Sequence, residues 1–253
     1  MCIDIYQCRL KDIKIIISKF RIMVENCIAS SCTDCESGWE NFENLTEGEL
    51  RYVCENRSQA VFRPGEIIFK QGSPISSAVF LINGMGKLYI EGYDNKKMMI
   101  GIAKQKRLIA GPGTYVDNRH HYTLAALTDV KACFIKMDVL KELVLKNSKF
   151  AEGFLIDVSK KALNTFYRFL SHSQKKMHGR MAETLLYLAN LIHESDTFDM
   201  LLSRQELGEL SGMAKESVVR ILKDFSEDHI IEDKCPHIKI LDKEKLQLIS
   251  NMG

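Results

Sequence analysis

Cys27, Cys32 and Cys35 crowd the short stretch CIASSCTDCESGW. Thiolates at such spacing are soft ligands that can converge on one centre, a zinc ion or an iron–sulfur cluster. A second constellation lies near the other end, where AKESVVRILKDF puts Lys215, Glu216 and Arg220 around the first turns of an expected helix. A guanidinium can fork onto O6 and N7 of guanine, and a carboxylate can accept from the N4 amine of cytosine, so this is base-reading chemistry. The bland alternative is a Glu216–Arg220 ion pair one helical turn apart. No His-x-His metal set, paired carboxylates or nucleophile with an adjacent base stands out, which argues against an enzyme.

The elements that must hold the base-reading residues are legible around them. Ser203 and Glu206 make a capping box, Leu207 and Leu210 an apolar face, and Gly208 a small residue where a second helix would cross. Gly212 falls where a tight turn needs positive φ, and Val218, Ile221 and Leu222 turn inward on the next helix. This predicts a helix-turn-helix, with HIIEDKCPHIKIL as a β-wing beside it. From residue 171 onward 11 Lys and Arg face 14 Asp and Glu, so the segment is not broadly basic. Contact with DNA would rest on placed cations such as Arg204, Lys215, Arg220 and Lys223, and on two copies acting together.

Upstream, Thr46 and Glu49 cap a short helix, after which apolar runs alternate with turn residues: AVF, EIIF, AVFLI, GKLYIEG, MMIGI, HYTLAAL and KACFIKM. Such spacing predicts an antiparallel sandwich or β-roll, with Leu88 and Ile90 on an inner face. AGPGTYVDNRHHYTL is the irregular piece, either the lining of a ligand pocket or a solvated loop. His120 and His121 point to opposite faces if they lie on a strand. Further on, Phe154, Val158, Ala162, Phe166 and Phe169 form one stripe on a helix of some six turns, a core helix or a dimer seam.

The organisation expected is therefore α+β: an arm of unassigned role at 1–26, a β-roll sensor at 27–148, a dimerisation helix at 149–172 and a winged helix-turn-helix at 173–253. No apolar run approaches the roughly 20 residues of a bilayer span, and RLKDIKIIISKF lacks the features of a secretory signal. Eight cysteines without a signal peptide suit a reducing compartment, the cytoplasm, where thiols stay free, bind metal or sense oxidants. Cys54 reads as a core residue.

A β-roll with glycine turns, a long apolar helix and SRQELGELSGMAKESVVRILKDF with its wing resemble the Crp/Fnr family of transcription regulators. The resemblance implies a cyclic-nucleotide-binding-like jelly roll, a homodimer paired through the long helix, binding to double-stranded DNA at a two-fold symmetric promoter site, and contact with RNA polymerase. By it, Ser203, Arg204, Gln205 and Ser217 touch phosphates while Lys215, Glu216 and Arg220 read bases. The effector pocket would involve Gly111, Gly113, Arg119, His121 and Tyr122. Cyclic AMP is not expected, because the phosphate-holding arginine is missing from its place, although Arg119 stands close by. The oxygen-sensing branch implies a [4Fe–4S] cluster on Cys27, Cys32, Cys35 and the distant Cys133, with a departure at ESGWENF, where a further cysteine is usual. Zinc, a thiol switch or no metal are the other readings of those cysteines. The competing function is a ligand-binding dimer whose helix-turn-helix serves protein contacts.

Overall fold

The computed structural model describes residues 39–253; Cys27, Cys32, Cys35 and the 1–26 arm lie outside the described residues. Helix α1 (Glu47–Glu55) begins at the expected capping box, with Thr46 and Glu49 exchanging hydrogen bonds. Then come β1 (Arg57–Phe62), β2 (Ile67–Phe69), β3 (Ser77–Asn83), β4 (Gly86–Glu91), β5 (Lys97–Ala103), β6 (Arg107–Ile109), β7 (Thr123–Ala126) and β8 (Val130–Lys136). They pair antiparallel into two four-stranded sheets, β1-β8-β3-β6 and β2-β7-β4-β5, which is the expected β-roll. The short β6 escapes sequence reading because RLI carries no alternation of its own and is recruited by pairing with β3.

Alternation in β4 is broken by a bulge between Leu88 and Tyr89. A bulge shifts which side chains face which way. Leu88 and Ile90 are accordingly only half-buried, while Tyr89 is the strand's buried large side chain. Cys54 also departs from expectation, being half-buried and disulfide-bonded instead of a core thiol.

Helix α2 (Met137–Lys146) leads into the long helix α3 (Ser148–Gln174). Its apolar stripe is divided in two. Phe150 and Phe154 are buried against the β-roll, whereas Val158, Phe166 and Phe169 are exposed together with Leu155, Leu163 and Leu170. The buried half is anchored by the segment WENF. Trp39 meets Phe42 and Phe150 edge to face, at centroid distances of 5.4 and 5.7 Å, and buried Asn41 donates from Nδ2 to the Phe150 carbonyl at 2.9 Å. Gly153 permits this approach, since a Cβ there would stand 1.9 Å from the Asn41 Oδ1. The residues that replace the further cysteine thus make an aromatic clasp on the long helix.

Beyond α3 lie α4 (Met177–Tyr187), a π-helical turn at Leu188–His193, β9 (Thr197–Asp199), α5 (Arg204–Ser211), α6 (Lys215–Glu227), β10 (Ile231–Lys234), β11 (His237–Ile240) and α7 (Lys243–Met252). The wing is a three-stranded sheet, β10-β11-β9, with β9 the strand that the sequence does not announce. One apolar core runs through this domain and continues onto the β-roll through Tyr89, Met99 and Ala125. Among the described residues no helix is long and apolar enough to cross a membrane.

Phe150 is fully buried at the junction of WENF, β-roll and α3. Phe150→Ala is expected to lower unfolding stability by about 3–5 kcal/mol, read as a shifted urea midpoint at unchanged m-value.

Candidate nucleic-acid interface

The helix-turn-helix is built as its residues require. Leu207, Leu210, Val218, Ile221, Leu222 and Phe225 close its core. Gly212 ends α5 in the left-handed region at φ 66°, and its N–H donates to the Gly208 carbonyl. That turn is also shielded from above, because a Cβ on Gly212 would lie 2.8 Å from the His172 ring.

On α6, Lys215, Glu216 and Arg220 are exposed on the outer face, and Ser217 is half-buried beside them. Neither Glu216 nor Arg220 enters a salt bridge with another described residue, so the ion pair considered from sequence does not form. Ala214 precedes α6 and supplies no side-chain cap, which leaves the first N–H groups of the helix open to an acceptor. Ser203 and Gln205 are exposed; the Ser203 hydroxyl accepts from the Glu206 N–H at 3.2 Å, and Gln205 donates to Glu209 at 3.3 Å.

Arg204 is placed differently from its neighbours. Its Nη2 donates to both carboxylate oxygens of Asp233 at 2.7 Å, tying α5 to β10. The arginine braces the wing and is not presented as a free surface cation. Glu206 is likewise occupied, since it receives the Lys87 ammonium from β4 as well as the Ser203 N–H. Burial works to raise the Glu206 carboxyl, but the hydrogen bonds from Lys87 and Ser203 prevail and hold it below the ordinary carboxylate value.

The joint between the domains centres on Arg168 of α3. Its Nη1 donates to the Ile100 carbonyl at 2.6 Å, and its Nη2 to the carbonyls of Met99 at 3.1 Å and Leu210 at 2.8 Å. One guanidinium therefore joins the long helix, the β-roll and the first helix of the helix-turn-helix. The Tyr187 hydroxyl adds a second link by accepting from the Ile102 N–H at 3.1 Å.

Within the β-roll, the structure brings together only part of the expected pocket. Gly111 is buried, and its vacant Cβ position lies 3.8–3.9 Å from Ile75, the His120 Nδ1 and the Tyr122 hydroxyl. His120 stacks on Phe69 at 3.9 Å between centroids, and its Nδ1 is buried without a partner. Burial pushes the Tyr122 hydroxyl strongly upward, aided by Asp157 of α3. Gly113 is closed off by the Arg119 carbonyl, 2.0 Å from where its Cβ would be. Arg119 and His121 lie outside the cluster at the surface, donating to the Gly72 carbonyl at 2.9 Å and pairing with Asp117 at 3.2 Å respectively. His120 is the residue that sequence reasoning did not select. The His120–His121 pair lies in the irregular run before β7 and not on a strand, with His120 buried and His121 exposed.

The groups nearest Gly111 are an aliphatic, an imidazole and a phenol, none of them the cation that a cyclic phosphate needs. Cys133 is fully buried on β8 among Phe80, Ile135 and Ala78, with the Arg57 guanidinium 3.9 Å from its sulfur. Among the described residues no group of three or more His, Cys, Asp or Glu is arranged to hold a metal.

Burial lowers His120, His172 and His193 below their ordinary value of 6.5, with Arg168 and Arg180 adding to the effect at His172. Each binds fewer protons folded than unfolded, so stability is complete above that value. It declines as pH falls from 6.5 toward the depressed folded values. Urea midpoints measured across this range should decrease on acidification, and His120→Leu should flatten part of the slope. Arg168→Met removes three charge-assisted hydrogen bonds and should cost about 2–4 kcal/mol in the same assay.

Residues 179–249 match the Crp-like helix-turn-helix domain, and residues 59–147 match the cyclic nucleotide-binding domain. The chain is 25% identical to Electron transport regulator A of Shewanella oneidensis over 229 residues, 88% of this chain and 91% of that protein. It is 23% identical to Transcriptional activator protein Anr of Pseudomonas protegens, covering 73% of this chain and 77% of that one. Among solved structures, FixK2 from Bradyrhizobium japonicum superposes with a TM-score of 0.70 at 16% identity, over 76% of this chain and 96% of its own. The first two relatives carry the names of a regulator and a transcriptional activator. With a β-roll, a long helix and a winged helix-turn-helix following one another in the order those matches require, the chain belongs to the Crp/Fnr family of transcription regulators.

Proposed function

We propose that this regulator works in the cytoplasm as a homodimer that reads a two-fold symmetric DNA site with α6, and that a signal received by the β-roll governs the reading. The observation that carries the proposal is the outward face of α6, where Lys215, Glu216 and Arg220 are exposed above an apolar core and pair with no other described residue. In this reading Lys215, Glu216 and Arg220 contact bases, while Ser203, Gln205, Ser217 and the open N-terminus of α6 contact phosphates. The Arg204–Asp233 pair holds the wing in place for them.

Dimerisation is supported by the exposed half of the α3 stripe. Leu163, Phe166, Phe169 and Leu170 are 48–75% exposed. An apolar row of this kind on a long helix is suited to a second copy of itself. Two helix-turn-helix units so paired would read half-sites about one helical turn, roughly 34 Å, apart. Promoter-bound dimers of this family are expected to meet RNA polymerase.

For the signal, the buried cluster of Gly111, His120 and Tyr122, in which the His120 Nδ1 has no partner among the described residues, favours a small polar or aromatic molecule that is not a cyclic nucleotide. A [4Fe–4S] cluster on Cys27, Cys32, Cys35 and Cys133 is the redox form of the same proposal, and its packing cost is displacement of the apolar groups around Cys133. Iron and sulfide content of protein purified without oxygen separates the two.

Fluorescence anisotropy against a selected palindromic operator tests the DNA reading. Arg220→Ala and Glu216→Ala should each weaken operator binding by roughly tenfold to a hundredfold, at about 1–3 kcal/mol per specific base contact. Binding that ignores both substitutions would favour protein contact as the role of the helix-turn-helix. Phe166→Asp should yield monomers by light scattering and abolish tight operator binding.

A further inference from the structure

A cleft of about 450 Å³ opens where α3 ends, between that helix and the domain that follows it. This volume lies in the range of sites for small organic ligands, about 300–1,000 Å³. Its charged lining is Arg168, Lys175, Arg180 and Glu183, three cations against one carboxylate. Leu186, Leu191 and the Tyr187 ring add apolar wall.

Among the described residues one carboxylate, Glu183, lines the cleft against these three cations. The hydrogen bonds of Arg168 to described residues all go to carbonyls, and Glu183 acts on it by charge at longer range. Lys175 stands 3.3 Å from Glu183 and donates to the Ser250 hydroxyl at 3.3 Å, and the Glu183 carboxylate also receives the Ser171 hydroxyl. Arg180 has one long contact, from Nη1 to the His172 carbonyl at 3.4 Å, and its Nε is buried with no acceptor. The Arg180 Nη2 makes no hydrogen bond to a described residue and is not sealed off as Nε is, and a phosphate or carboxylate oxygen in the cleft would give it a charge-assisted one.

We propose that this cleft is a ligand site for a small organic dianion, a phosphate ester or a dicarboxylate, bound by Arg180 and Lys175 with its carbon skeleton against Leu186, Leu191 and Tyr187. The walls come from both sides of the joint. Arg168, Ser171 and His172 belong to α3, which packs on the β-roll, Lys175 caps its end, and the remainder belong to the domain that carries α6. A bound dianion therefore fixes the angle between sensor and helix-turn-helix from a position distinct from Gly111, and the regulator integrates two inputs.

The test is calorimetric titration and thermal unfolding of the full chain with inorganic phosphate and with succinate, at ionic strength held constant with sodium chloride. Saturable binding in the millimolar range or tighter, with a raised unfolding midpoint, is expected for at least one probe. The stronger probe assigns the ligand to phosphate esters or to dicarboxylates. Arg180→Gln and Lys175→Gln should each weaken binding at least tenfold, and Arg63→Gln, on an exposed loop of the β-roll, should leave it unchanged. The proposal is overturned if neither probe binds saturably, if binding survives in whichever of Arg180→Gln and Lys175→Gln melts like the parent, or if Tyr122→Phe abolishes it in their place.

Discussion

The joint in this molecule depends on one buried guanidinium. Arg168 leaves the long helix and donates to carbonyls of β5 and to the carbonyl that ends α5. Carbonyl partners suit this task. They satisfy the guanidinium without a carboxylate, so the fork is held by geometry more than by charge pairing, and burial lowers the guanidinium from its ordinary value without neutralising it. Loss of any one of the three elements would leave polar groups unsatisfied in the others.

That constraint explains why sensor and helix-turn-helix share a core. Tyr89 and Met99 turn outward from the β-roll to meet the apolar interior of the C-terminal domain, and Lys87 reaches Glu206 within the capping box of α5. The same carboxylate thus starts the first helix of the motif and ties it to the β-roll. Two polar contacts and one apolar face join β4 and β5 to α5. The His172 ring over Gly212 places the last turns of the long helix against the turn itself.

The β-roll interior has a different character from that of a phosphate-binding member of its fold. Its cation, Arg119, faces outward to a backbone carbonyl, and the inward side chains are Phe69, His120 and Tyr122. Asp157 couples that cluster to the long helix by its charge on Tyr122, and Lys161 of the same helix donates to Asp157 and to the Leu108 carbonyl. The Tyr122 cluster and the long helix therefore meet on adjacent turns of that helix.

Local chemistry was sufficient where a few neighbouring residues settle the outcome. The capping pairs Thr46–Glu49 and Ser203–Glu206, the left-handed Gly212, the inward Val218, Ile221 and Leu222, and the exposed face of α6 are all legible in the sequence, because each is decided within one or two helical turns. The β-roll was legible as a class through its spaced apolar runs. Tertiary structure alone decided what depends on distant partners: the recruitment of β6 and β9, the bulge that buries Tyr89, the WENF clasp on Phe150, the division of the α3 stripe and the union of Arg204 with Asp233. Arg168 is the sharpest instance. In sequence it is one more cation on a long helix, and its meaning comes from carbonyls 68, 69 and 42 residues away along the chain. Backbone acceptors carry no residue identity, so no pattern of side chains could have announced them.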